Sequence, residues 1–115
     1  PVLESDRDFS NVVSVLKQNK TDAILIPNQE LTSARIISTL IKEGITGPFL
    51  GGDGWGNVGG EFFTLLAGQD IKGYSVSHWH EDIKTSRSRN FFESFKAEFG
   101  KAPNDTAVLA YDSTL

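Results

Sequence analysis

Apolar runs too short to be helices alternate along the chain with longer stretches whose apolar residues recur at helical spacing. That alternation limits the fold more than any single motif does. Ala23-Ile24-Leu25-Ile26, rich in branched residues and closed by Pro27-Asn28-Gln29, reads as a buried strand ending in a polar loop. Phe49-Leu50, set between Gly47-Pro48 and a glycine cluster, reads as a second and very short strand. From Ile71 to Trp79, Tyr74, Val76 and His78 alternate with Gly73, Ser75, Ser77 and Trp79, the period of a third strand.

The intervening stretches are helical in period. Ser5 and Asp8 precede Phe9, Val12, Val13 and Leu16, a capping pattern that predicts a helix over residues 6–19. Thr32 or Ser33 can cap a second helix with Ile36, Ile37, Leu40 and Ile41 on its inner face, ending near Glu43 before Gly44. Residues 61–67 suit a helix of about two turns. Phe91, Phe92, Phe95 and Phe99 mark a longer one over residues 86–99, and Asp105 can cap a last one through Val108, Leu109 and Tyr111. Strands and helices in this order predict an α/β protein: a doubly wound parallel sheet with helices on both faces and right-handed crossovers. Ligands of such sheets collect outside the carboxyl ends of the strands, which here carry residues 27–30, 51–56 and 77–82.

A chain of 115 residues has room for one domain, 1–115, with a modest core. Three strands make a thin sheet. The chain begins at Pro1 and contains no Met, so a piece of a longer protein is expected, with a first strand among what precedes it. The net charge of −4 and the lack of any basic run argue against nucleic acid as a partner. No apolar run reaches the roughly 20 residues that cross a bilayer. With no cysteine there is no disulfide, thiol nucleophile or thiolate metal site. An exposed edge on so thin a sheet would allow a dimer of the chain.

The glycine-rich stretch Gly51 to Phe63 admits several readings. Gly54, Gly56 and Gly59 form a G-x-G-x-x-G after a strand and before a helix, and Glu81 and Asp82 follow about where a ribose-binding acid belongs, the pattern of an NAD(P)-dependent oxidoreductase. The short helix that follows, and the bulk of Trp55 and charge of Asp53 beside the phosphates, oppose it. In the second reading Asp53 accepts hydrogen bonds from a ligand ammonium, and Trp55 adds an apolar or cation–π wall. In the third, Asp53 only caps the turn and Trp55 packs on it. Other chemistry is thinner. His78 and His80 lack a third metal ligand beyond Glu81 and Asp82, and Asp53, Asn57 and Glu61 miss the spacing of a calcium loop. No serine has a base and a nucleophile elbow, so neither an enzyme, a metal nor a cofactor is expected.

DFSNVVSVLKQNKTDAILIP, IKEGITGPFLGGDGW, IKGYSVSHWH and FFESFKAEFGKAPNDTAVLAYDS together carry a resemblance. In this order they resemble the second lobe of type I periplasmic solute-binding proteins, in particular the leucine/isoleucine/valine-binding group of ABC importer receptors. The resemblance implies a two-lobed receptor that closes on an amino acid by a hinge and delivers it to the membrane permease of an ABC importer. A sensory ectodomain is the other role such lobes serve. It implies a periplasmic or other extracytoplasmic location, a cell-surface lipoprotein included. In the family the acid matching GGDGW binds the α-amino group, a role that falls on Asp53, and Trp55 would line the cleft. The resemblance implies a branched-chain or related amino acid as ligand; Asn28-Gln29-Glu30 stands where the family usually offers an aromatic residue, a departure that tells against simple branched-chain specificity and allows a more polar ligand. His78 lies in a segment expected on the cleft rim or at the hinge. The candidate ligand contacts are thus Asn28, Gln29, Asp53, Trp55 and His78. Because the first lobe normally grips the α-carboxylate, this chain alone is expected to bind weakly or not at all.

Overall fold

Residues 2–55 and 60–114 are described in a computed structural model of the chain. Helix α1 (Ser10–Gln18) leads to strand β1 (Ile24–Ile26), helix α2 (Glu30–Lys42), strand β2 (Phe49–Gly51) and a 3-10 turn (Asp53–Trp55). Helix α3 (Gly60–Leu65), strand β3 (Gly73–Ser75), helix α4 (Ser86–Phe99) and helix α5 (Asp105–Ser113) follow. The chain gathers into two compact units, one reaching to Val76 and one starting at Ser77.

The first unit holds a parallel sheet ordered β1-β2-β3, so the α/β class read from the alternation is the class observed. Ile24, Phe49 and Gly73 form one cross-strand row, and Leu25, Leu50 and Tyr74 the next. Ile26 and Phe49 face a core built from Phe9 just before α1, Val13 of α1, Ala34, Ile36, Ile37 and Leu40 of α2, and Phe62 of α3. The opposite face of the sheet is bare in this unit: Leu25 is 66% and Tyr74 56% exposed. Helices were expected on both faces. A strand order that advances steadily, β1 to β2 to β3, puts successive right-handed crossovers on one side, and only a reversal of strand order places a helix on the other.

Element ends differ from expectation for local reasons. Helix α1 starts at Ser10 because the Asp8 carboxylate accepts the Ser10 N–H at 2.9 Å and also the Ser10 hydroxyl, which folds the preceding residues into a turn. Helix α2 starts at Glu30, ahead of Thr32 and Ser33, because its first orphan N–H, that of Gln29, is met by the Glu4 carboxylate at 2.9 Å. Strand β3 has three residues, where nine alternate in sequence, because a parallel ladder extends only as far as its neighbour, and β2 offers three. Helices α2 and α4 end as predicted: Gly44 and Gly100 follow them with φ of 76° and 68°, a left-handed conformation that glycine adopts without strain.

The second unit contains α4 and α5. Phe91 of α4 meets Tyr111 of α5 with ring centroids 4.5 Å apart, and Arg87 pairs with Asp112 at 3.2 Å. The Thr85 side chain caps α4 through the Ser88 N–H. Asn104, one residue earlier than expected, caps α5 through the Ala107 N–H.

Candidate functional site

Strand β2 is central in the sheet, so the turn beyond its carboxyl end lies where parallel sheets collect ligands. The Trp55 N–H donates to the Gly52 carbonyl at 3.2 Å and closes the 3-10 turn. Asp53, the first residue of that turn, is exposed. Gly54, Gly56 and Gly59 were the phosphate-loop candidates; of these Gly56 and Gly59, together with Asn57 and Val58, lie outside the described residues.

Trp55 does not form an exposed wall. It is 5% exposed, with its indole turned under the sheet end and tilted against Phe62 at a centroid distance of 5.6 Å. The space it fills exists because residue 51 is glycine: a Cβ there would stand 2.0 Å from the indole Cδ2. Its Nε1–H donates to the Ser33 hydroxyl at 2.8 Å, and that hydroxyl donates to the Asn28 carbonyl at 2.9 Å. A ring with a polar N–H is buried cheaply only where such an acceptor exists. The expected cleft-lining residue Trp55 is thus placed in the core, bonded to Ser33 and packed on Phe62.

The loop after β1 lies against the same turn. A Cβ on Gly54 would be 3.3 Å from the Asn28 carbonyl oxygen and 3.4 Å from the Gln29 Oε1, so the two loops touch backbone to backbone. The Asn28 side chain is half-buried and occupied: its Nδ2 donates to the Glu4 carboxylate at 2.9 Å and to the Val2 carbonyl at 3.4 Å. Gln29 is exposed, and its backbone N–H donates to the same carboxylate. The Thr32 hydroxyl and then the Gln29 N–H lower the Glu4 carboxyl from its ordinary value, opposed by desolvation and helped least by the Asn28 amide. Asn28, Gln29, Asp53 and Trp55 therefore meet in the first unit.

His78, the fifth candidate, belongs to the second unit. There its backbone N–H donates to Asp105 Oδ2 at 3.2 Å, and the Ser77 hydroxyl donates to the same oxygen at 2.7 Å. Asp105 is 9% exposed at the start of α5, where the helix dipole also favours a carboxylate. Trp79 donates from Nε1 to the Ser88 hydroxyl at 2.8 Å, so Ser77 to Trp79 are pinned to both helices of their unit. His80 Nδ1 stands 3.3 Å from the Asp82 carboxylate, both exposed. A cavity of about 580 Å³ opens between α4 and α5, lined by the aromatic rings of Phe91, Phe95, Phe99 and Tyr111, and contains none of the candidate residues.

A family profile described as periplasmic binding protein matches residues 2–115. The chain belongs to that family. Among solved structures it is similar to the branched-chain amino acid transporter substrate binding protein LivJ from Streptococcus pneumoniae strain Canada MDR_19A, determined in complex with isoleucine. The two share 26% identity with a TM-score of 0.78, and the match covers 97% of this chain. It spans 32% of LivJ, so the chain corresponds to about a third of that protein's length. A comparison with curated protein sequences found no match. The family and LivJ are both binding proteins.

Within this family member, two residues that matter to the site had no role in the sequence reading. Ser33 stood only as an alternative helix cap, and Glu4 as nothing at all. A signal for Ser33 did exist: a serine on the apolar face shared by Ile36, Ile37 and Leu40 must find partners for its hydroxyl, and Trp55 supplies an N–H in need of one. Glu4 lies 24 residues before Asn28, and no periodicity links them.

Proposed function

We propose that the chain is part of an extracytoplasmic receptor that holds an amino acid between two lobes and hands it to an ABC permease. The observation that carries this reading is Asp53: an exposed carboxylate at the carboxyl end of the central strand, on a turn held from below by Trp55 and Ser33. A carboxylate so placed accepts charge-assisted hydrogen bonds from an α-ammonium group. The likeness to LivJ, which is solved with isoleucine, supports an amino acid as the ligand class. Gln29, exposed beside the turn, offers an amide to a polar part of the ligand, and Asn28 supports the loop through Glu4.

In this reading the receptor performs no chemistry. Closure of the lobes is driven by ligand bound better in the closed state than in the open one. His78, expected from the resemblance on the cleft rim or at the hinge, is kept in this reading as a candidate ligand contact.

The test is a thermal-shift panel on the two-lobed receptor with the standard amino acids, NAD and NADP, run beside Asp53→Asn. The expected result is stabilisation by some amino acids that is lost in the variant while its unliganded melting temperature is kept. Stabilisation by a dinucleotide, or full amino-acid binding by Asp53→Asn, would overturn the assignment.

A further inference from the structure

We propose that Ser33 is a positioning residue for ligand binding, the joint that sets Asp53 relative to the loop after β1. The proposal rests on the receptor reading above and adds a residue that touches no ligand.

Ser33 is completely buried. Its backbone makes the ordinary helical bond, from its N–H to the Gln29 carbonyl at 2.9 Å, so the hydroxyl is not needed to build α2. Alanine is the better helix former and buries no polar group. A buried hydroxyl costs stability unless both its donor and its acceptor capacity are used, and here both are. It accepts from the Trp55 indole at 2.8 Å and donates to the Asn28 carbonyl at 2.9 Å.

These two bonds join different rim loops. Asn28 belongs to the loop after β1, and Trp55 closes the turn after β2. The turn is only three residues long, so fixing the indole of its last residue fixes the backbone that carries its first, Asp53. The same Asn28 carbonyl lies under the middle of the turn, beside Gly54. Loss of the hydroxyl frees the Trp55 N–H to seek another acceptor, and the turn moves with it. A charged hydrogen bond depends on direction as well as distance, so a tilt of the turn weakens the grip of Asp53 on an ammonium.

The experiment uses the two-lobed receptor and four forms: unaltered, Ser33→Ala, Trp55→Phe and the double variant. Trp55→Phe keeps an aromatic ring near Gly51 while removing the donor together with part of the ring volume, and it stands in if Ser33→Ala fails to fold. Amino-acid affinity is measured by calorimetry with whichever standard amino acid binds the unaltered receptor, well below every melting temperature. The Nε1–H resonance of Trp55, identified by its loss in Trp55→Phe, reports the hydrogen bond directly.

The expected result is a loss of affinity of about tenfold or more in each single variant. The double variant should be no weaker than the weaker single, because both changes break one link. In Ser33→Ala the indole proton should move to higher field. A residue that only stabilised the fold would lower the melting temperature and leave affinity per folded molecule unchanged. That outcome, or single effects that multiply in the double variant, would overturn the proposal. If the unaltered receptor binds no amino acid, the receptor reading falls and takes this one with it; if it binds and Ser33→Ala binds equally, only the positioning role falls.

Discussion

The indole of Trp55 occupies the volume that a side chain on Gly51 would need, with only 2.0 Å between a Cβ at residue 51 and the indole Cδ2. Such a separation cannot be relieved by a small rotamer change, because Trp55 is also fixed by Ser33 and Phe62. Gly51→Ala should therefore destabilise the first unit by about 1–3 kcal/mol, the usual cost of overpacking a filled site. Gly52→Ala, where no atom lies within 4 Å of the added carbon, is the control and should stay within about 0.5 kcal/mol. Urea midpoints of the two variants decide the matter, and equal midpoints would mean that the indole does not sit over Gly51.

Acid should loosen the loop after β1. The Glu4 carboxyl lies below its ordinary value when folded, first through the Thr32 hydroxyl and then through the Gln29 and Asn28 groups. A group depressed in the folded state contributes its stability above the unfolded value and loses it as pH falls through the lower folded value. The contribution is thus complete at neutral pH and fades below the ordinary glutamate range, about 4. Glu4→Gln should flatten that part of the stability profile; the effect is small because the carboxylate is exposed to solvent. An unchanged acid limb in the variant would show that Glu4 does not hold Asn28 and Gln29 in solution.

Much of this architecture could be read from the chain. Helix α4 begins and ends where Ser86, Phe99 and Gly100 indicate, and β1 lies within Ala23 to Ile26, because burial of a one-sided stripe and a glycine stop are local properties. Asp53 could be placed at a strand end for the same reason. The buried state of Trp55 could not, since it depends on Gly51 leaving a space and on Ser33 meeting it from an element 22 residues away. The early start of α2 likewise depends on Glu4, a residue distant in sequence, and the short β3 on how much of β2 is available to pair. What the sequence left unread are pairings between elements, each set by tertiary structure.

The two faces of the sheet should respond unequally to substitution. Leu25 and Ile26 are neighbours in β1, yet Leu25 is 66% exposed and Ile26 3%. Alternation along a strand sends them to opposite faces. Ile26→Ala should cost about 2–5 kcal/mol, the range for truncating a buried branched side chain. Leu25→Thr in this chain should stay within about 0.5 kcal/mol and improve solubility by interrupting the apolar row with Leu50 and Tyr74. Comparable losses from both substitutions would show that the bare face is covered in solution.

Asp105 should control the first residues beyond the unit boundary. Its Oδ2 accepts both the Ser77 hydroxyl and the His78 N–H, and it is nearly buried, so neither donor would be fully replaced by water on its removal. Asp105→Ala takes away the acceptor of both bonds while Asn104, which caps α5, stays in place. The helix should persist and the Ser77–His78 segment should open more often. Hydrogen exchange at the His78 amide should then speed up roughly tenfold to a hundredfold, the equivalent of about 1.5–3 kcal/mol for a bond to a charged acceptor. Exchange within α5 should change much less. If the His78 amide kept its protection in the variant, Asp105 would not be what anchors the segment to α5.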